Sequence, residues 1–372
     1  MPAFSIDVNP QILKWAREEA GYSVDDVAGY LKTTPESIKE WEKEGTAVRY
    51  TYLSKIARYY KRQVAVFFLK DVPKRTNKPK DYRNLSKTDR TVSPEVMLAI
   101  RRTSRYLSVY RDMTDKSYIS KQYEWLNIIR TKKDISSSEY LRELLGLSVD
   151  EQRLKKNQTF SSWRKKVEDN LGIFVFQFPI PNHQFDGFSY IEDGEPYGIT
   201  INSKISENRK IFTIFHELGH IIEGSSGICF TTEAHSQPFS IEAKCNRLAA
   251  ELLMPAELIE PVDTFEDLDD SSRKIGVSKE AYLIRLKELR RVSDNDFNKF
   301  MSIIREFNRK LKEKKKTPKE GFAIPPATLS RSYRGDKFFD FVVANYDNQR
   351  ISPTVVRDLL DMKVVGLGRA PK

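Results

Sequence analysis

Residues 210–224 read KIFTIFHELGHIIEG, and Ile211, Phe212, Phe215, Leu218, Ile221 and Ile222 recur there at the spacing of a helix with an apolar stripe. The segment is predicted to be a buried helix that stops near Gly224. This constrains the chain more than any other feature, because His216 and His220 then share one face, where two imidazole nitrogens can grip one metal ion. Glu217 lies beside them, placed to act on a water molecule at that ion. The chain has only 4 histidines and two fall in this motif, which chance explains poorly. A core helix also rarely spends two histidines and a glutamate on its apolar margin without a partner for them.

A catalytic zinc keeps three protein ligands and one open position, so a third donor is required. FSIEAKCNRLAAELLMP predicts a second helix, with Ile241, Leu248, Ala249, Leu252 and Leu253 apolar, Pro255 ending it and Glu242 near its start. By residue type His235, Glu223, Glu233 and Cys245 compete with Glu242. A thiolate suits a structural zinc better than a hydrolytic one, and Cys245 reads more simply as a small buried residue. Upstream of the metal helix, SSWRKKVEDNLG predicts a helix and GIFVFQFPI a strand. DGFSYIEDGEPYGITINSK reads as two short strands around a turn at Asp193-Gly194.

The 372 residues allow two or three domains, and 21 Phe with 17 Tyr are too many aromatics for a disordered chain. Two cysteines and no leading apolar segment argue against a secreted disulfide protein. The longest apolar run, VAVFFL at 64–69, is too short to span a membrane, so a soluble cytoplasmic protein is expected. The net charge of +11 is unevenly spread: +2 over 1–70, +9 over 71–170, −7 over 171–260 and +7 over 261–372. Basic flanks suit a nucleic acid, although a charge run is by default a solvated face; the acidic block supplies the carboxylates a cation needs.

Ile12, Leu13, Trp15 and Ala16 mark a first helix stopping near Gly21. Ser23 is placed to cap VDDVAGYL, and Thr33 or Thr34, followed by Pro35, opens a third helix expected to run to Gly45. Two short helices joined by a tight turn form the helix-turn-helix pattern, whose second helix presents its N-terminal side chains to base edges. Thr34, Glu36, Ser37 and Lys39 would be the readers, with Lys32, Lys39 and Arg49 on phosphates. A small bundle used for dimerisation competes with this reading. PESIKEWEKE is acid-rich, which dilutes the DNA reading.

PKRTNKPKDYRNLSKTDR reads as an extended connector, and from Pro94 to SSSEYLRELLGLS the chain turns helical and basic, favouring packing over a DNA contact. Beyond the second metal-site helix, VSKEAYLIRLKELRRVSDNDFNKFMSIIREFNRKLKEKKK is amphipathic and helical. LKEKKKTPKEG is a linker, and SYRGDKFFDFVVANYDNQRISPTVVRDLLDMKVV predicts two or three helices, one opened by Ser352 and Pro353. The resulting division is 1–70, 71–160, 161–260, 261–316 as a brace of the core, and 317–372.

Two resemblances rest on these motifs. AREEAGYSVDDVAGYLKTTPESIKEWEKEG resembles the Cro/repressor helix-turn-helix of the xenobiotic-response-element regulators, through Arg17, Gly21, Tyr22, Ser23, Val27, Ala28, Trp41 and Glu42. KIFTIFHELGH followed by IEAKCNRLAAELLMP resembles the ImmA/IrrE zinc metallo-endopeptidases, from about Trp163 to Pro255. That family's signature is Phe-Thr-x-x-His-Glu-hydrophobic-Gly-His, then Glu-x-x-Ala-Asn-x-Phe-Ala-Ala-x-Leu-Leu-Met-Pro. The resemblance implies that His216, His220 and Glu242 hold zinc and that Glu217 is the catalytic glutamate. Cys245 stands where the family usually has Ala and Leu248 where it has Phe, both packing-compatible, and a His often seen soon after the motif is replaced by Glu223-Gly224.

The fold class expected is α+β: an all-α helix-turn-helix domain, a zincin-like core with a small sheet before the metal helix, and an α-helical C-terminal region. Zinc on two imidazoles and a carboxylate brings the pKa of bound water to about 7. A second donor for the oxyanion would come from His235, Tyr190, Tyr197 or Asn202. The resemblance implies an endopeptidase that cuts a repressor or antitoxin-like regulator in a stress, phage or mobile-element response. Pairing of repressor-like domains on palindromic sites points to a homodimer. The competing reading is a DNA-binding regulator whose metal site is structural or sensory.

Overall fold

The computed structural model describes residues 5–43, 47–73, 93–132, 136–154, 159–181, 185–192, 194–224, 228–230, 240–313 and 324–364. The chain divides into two compact units, one of residues 1–78 and 82–104, the other of 79–81 and 105–372. The expected connector after Pro73 and the linker at 314–323 lie outside the described residues. Among the described residues no helix is long and apolar enough to cross a membrane.

The first unit runs β1 (Ser5–Ile6), α1 (Pro10–Ala20), α2 (Val24–Leu31), α3 (Pro35–Trp41), β2 (Val48–Arg49), α4 (Tyr50–Tyr59) and a 3-10 turn at Val64–Phe68, and takes in the first part of α5 (Pro94–Met113). Local chemistry sets the helix ends. Gly21 ends α1 in the left-handed conformation, Ser23 and Asp26 form a reciprocal capping box on α2, and Thr34 caps α3 through the Ser37 amide. The third helix is shorter than its sequence predicts, ending at Trp41; Gly45 lies outside the described residues. Ile12, Leu13, Trp15, Val27, Leu31, Ile38, Leu53, Ile56 and Phe67 form the core. A two-residue antiparallel ladder between β1 and β2 joins the helices.

Arg17 lies almost wholly inside this unit and donates to both carboxylate oxygens of Glu42, at 2.6 and 2.9 Å, and to the carbonyl of Tyr22 at 3.0 Å. The bidentate pair ties α1 to the end of α3, so these two members of the repressor-like pattern act as a clamp. Its hydrogen bond to Glu42 is what holds the guanidinium above its ordinary pKa.

The second unit continues α5 and adds α6 (Lys116–Gln122), α7 (Glu124–Thr131), α8 (Ser137–Leu144), α9 (Val149–Leu154) and α10 (Phe160–Leu171). Then come β3 (Phe174–Phe178), β4 (Phe185–Glu192), β5 (Gly194–Asn202), α11 (Glu207–Ile222), β6 (Ile228–Phe230) and α12 (Ile241–Leu253). The sheet order is β3-β5-β4-β6, with β3 parallel to β5 and the other pairs antiparallel. Glu192 pairs with Gly194 across the expected turn, and Asp193 lies outside the described residues. The fourth strand follows the metal helix, an addition to the sheet expected before it. The remaining helices are α13 (Phe265–Ile275), α14 (Lys279–Glu288), α15 (Asp294–Glu313), α16 (Pro326–Arg334), α17 (Asp336–Asp347) and α18 (Pro353–Leu360), with Ser352 capping the last.

All five residues of β3 are buried. Phe174, Phe176 and Phe178 alternate onto one face, where Tyr106 of α5 and Phe338 of α17 meet them ring to ring. The C-terminal helices are therefore part of this core.

A buried ion pair anchors them. Arg164 of α10 bonds Glu168 one turn on and donates to the carbonyls of Ser332 and Val175. Glu168 also accepts from the amides of Asp336, Lys337 and Val175, so it caps the start of α17. Burial pushes the Glu168 carboxyl up and the Arg164 guanidinium down, each opposed by the other's charge. Gly335, at φ 82°, lies so close that a Cβ there would collide with Glu168 Oε1. Glu168→Ala strands the buried guanidinium and uncaps α17, and is expected to cost about 3–5 kcal/mol. Gly335→Ala is expected to lower stability similarly through collision and backbone strain. Urea unfolding checks both; wild-type midpoints would refute the anchor.

Candidate metal centre

The metal helix α11 buries Ile211, Ile214, Phe215, Leu218 and Ile221. His216 is 7 %, Glu217 0 % and His220 1 % exposed. The facing helix α12 starts from a Ser240 cap and ends at Met254, just before Pro255. It brings Glu242 Oε2 to 3.2 Å from His216 Nε2 and Oε1 to 3.2 Å from His220 Nε2. The two Nε2 atoms are themselves 3.2 Å apart. His216, His220 and Glu242 thus converge on one small volume, their donor atoms all within 4.8 Å of one another.

The His216 imidazole is held from behind. His216 Nδ1 lies 2.9 Å from Asn246 Oδ1, which only accepts, so Nδ1 carries the hydrogen and the Nε2 lone pair points into the cage. Such a donor set suits a divalent cation. Burial pulls His220 down, but hydrogen bonds to Cys245 and Glu242 and the Glu217 charge outweigh it and push its pKa up to about 11. Burial raises Glu242, yet the two histidines take it well below the usual carboxylate range.

Close helix contact makes this possible. A Cβ on Gly219 would sit 2.9 Å from Cys245 Cα and 3.0 Å from its Cβ and Sγ, so the glycine lets α12 approach α11 beside His220. Basic side chains close the helix ends. Arg130 of α7 donates to the carbonyls of Ile221 and Ile222, and Arg142 of α8 donates to Leu252 O at 2.6 Å. Each puts a cation where a helix dipole is negative. Arg285 of α14 bonds Met254 O at 3.0 Å, and Tyr282 bonds both backbone groups of Glu260.

Of the competing third donors, Glu223 pairs with Lys244 at 3.1 Å, and Cys245 is buried outside the three converging atoms. His235 and Glu233 lie outside the described residues. Among the oxyanion candidates, the Asn202 amide bonds the backbone of Ile180, Lys204 and Phe185, while Tyr190 and Tyr197 are buried; His235 again lies outside the described residues. Asn246, Arg130 and Arg142 were not singled out by sequence reasoning. Asn246 carried a signal, standing four residues after Glu242 and hence on its helix face. The arginines carried none, because their partners are carbonyls 90 or more residues away.

In the first unit Lys32 ends α2 in the left-handed conformation and is exposed, as are Thr34, Glu36, Lys39 and Arg49. Thr34 and Ser37 hydroxyls are 3.2 Å apart in the α3 cap, and Ser37 is half-buried. Lys32, Thr34, Glu36, Ser37 and Lys39 share the turn and α3, whereas Arg49 sits on β2.

With this geometry in place, comparison with family models identifies two domains: residues 168–287 match the IrrE N-terminal-like domain of the Peptidase M78 family, and residues 13–67 match a helix-turn-helix domain. Comparison with curated proteins gives no match. The chain thus joins a peptidase-like domain of a typically metal-dependent family to a helix-turn-helix unit of a DNA-binding kind.

Gly219→Ala forces the two helices apart by a few tenths of an ångström or more. The expected outcome is loss of about 1–3 kcal/mol of stability and weaker divalent-metal uptake, read by thermal unfolding and chelator competition. Unchanged uptake would show that the close approach is not what assembles the cage.

Proposed function

We propose that the protein is a zinc-dependent endopeptidase of the cytoplasm, which cuts a repressor or antitoxin-like regulator in a stress, phage or mobile-element response, and that its helix-turn-helix unit directs or controls the cut. The observation that carries this reading is the cage of two imidazoles and one carboxylate with Glu217 buried beside it. A structural zinc is usually closed by four protein ligands, whereas a hydrolytic site keeps three.

His216, His220 and Glu242 would hold the ion. Zinc there supplies Lewis acidity that polarises a peptide carbonyl and makes water acidic at neutral pH. Glu217 takes the proton of the attacking water and passes it to the departing amine. Asn246 keeps His216 in the tautomer that turns Nε2 toward the ion.

In the first unit Lys32, Lys39 and Arg49 would contact phosphates while Thr34, Glu36 and Ser37 face base edges. Pairing of two such units on a palindrome would make the acting species a dimer. An attached recognition unit argues for few substrates, which fits a regulator better than bulk protein.

Glu217→Gln is expected to keep about one zinc per chain and to lose 10²-fold or more in cleavage, in line with removal of a general base. New protein N-termini in a host lysate, compared between wild type and this variant, give the readout. Equal cutting by both would overturn the peptidase reading. On the DNA side, Lys39→Ala or Arg49→Ala is expected to lower the slope of log affinity against log salt by about 1. Fluorescence anisotropy across a salt series measures it, and an unchanged slope removes that residue from the interface.

A further inference from the structure

Away from the metal cage, α14 and α15 pack on one another as a hairpin. Lys287, near the end of α14, lies 3.3 Å from Asp294 and 4.3 Å from the ring centre of Phe297, both at the start of α15. The two helices therefore run antiparallel, and Glu280 at the start of α14 comes level with the middle of α15. Between them is a cavity of about 260 Å³. Its floor is apolar, with Met301 buried and Ile284 and Phe297 half-buried. Its rim is polar, and there Glu280 and Arg305 line the same end with exposed side chains. Among the described residues neither forms an ion pair or hydrogen bond, with the other or with any third group. Ser302, also on the rim, donates its hydroxyl to the carbonyl of Asn298 at 2.8 Å, which leaves its oxygen able to accept.

We propose that this cavity binds a free amino acid with an apolar side chain, such as leucine, methionine or phenylalanine. Its ammonium meets the Glu280 carboxylate, its carboxylate meets the Arg305 guanidinium, and its side chain lies on Met301, Ile284 and Phe297. Only a ligand with both charges on one carbon answers two opposite groups at the same end of an apolar floor. A peptide separates its terminal charges by its own length, and a fatty acid brings one charge only. The volume lies below the roughly 300–1,000 Å³ of sites that hold drug-sized ligands, and so suits a single amino acid. The cavity also adjoins the support of the metal cage, since Arg285, next to Ile284, donates to the Met254 carbonyl at 3.0 Å where α12 ends. A bound amino acid ties α14 to α15 and so bears on the helix that holds α12. The inference does not depend on whether the cage hydrolyses peptides.

The test is calorimetric titration of the full chain with leucine, methionine and phenylalanine, and with leucinamide and N-acetyl-leucine, which each lack one of the two charges. The variants are Glu280→Gln, Arg305→Gln and, as a control on the same helix outside the cavity, Arg309→Gln. All three positions are exposed, so wild-type melting temperatures are expected. At least one of the three amino acids should bind saturably, one per chain. Both blocked analogues, and both cavity variants with leucine, should bind about three- to tenfold more weakly, the range for losing a charged partner at a partly exposed site. Arg309→Gln should bind as wild type does. Absence of saturable binding by all three amino acids at millimolar concentration would overturn the proposal. Equal binding of leucine and its blocked analogues would overturn it too, by removing the need for both charges. Leucine binding untouched by Glu280→Gln and Arg305→Gln, or weakened as much by Arg309→Gln as by Arg305→Gln, would remove it from this cavity.

Discussion

The contact between α11 and α12 at Gly219 and Cys245 is the constraint on which the rest of the second unit depends. Neither helix holds a site alone. His216 and His220 present two nitrogens from one face, but the carboxylate that completes the cage sits on another helix, which approaches to within a methyl's width at Gly219. Because the two helices touch through backbone and a small side chain, Glu242 and Asn246 arrive at the histidines together. Opposite charges packed together there outweigh burial, raising the pKa of His220 and lowering that of Glu242.

The basic segments before and after the acidic block acquire a structural meaning. Arg130, Arg142 and Arg285 each end on carbonyls at the C-terminal ends of the two site helices, where the unpaired backbone oxygens and the helix dipole both favour a cation. Part of the positive charge that looks suited to nucleic acid is thus spent on holding the two site helices in place. In the first unit the same accounting applies to Arg17, which is bound within the fold by Glu42. Lys32, Lys39 and Arg49 remain at the surface.

The last helices, whose role composition left open, belong to the core of the second unit. Arg164 and Glu168 bond them to α10 and β3, and the aromatic face of β3 packs against Phe338. On edge strand β3 the backbone groups of Val175 are met by the same pair, Arg164 at its carbonyl and Glu168 at its amide.

Local rules made much of the architecture legible in advance. Helical periodicity predicted α1, α2, α10, α11, α12 and α18, with Ser23 and Ser352 marking two of their starts, because those serines bond amides only three residues on and the apolar stripes need no distant partner to be read. The histidine spacing placed two nitrogens on one face for the same local reason. What the sequence alone determined is therefore the identity of the elements and the pair of imidazoles. Residue types alone left Glu223 and Glu242 both open and only the resemblance named Glu242; its convergence on the histidines, the bond between Asn246 and His216, the arginine caps and the anchoring of the C-terminal helices were decided only by the tertiary structure. Each depends on a distance between residues far apart in the chain, and such distances come from how the helices pack, to which no local periodicity is sensitive.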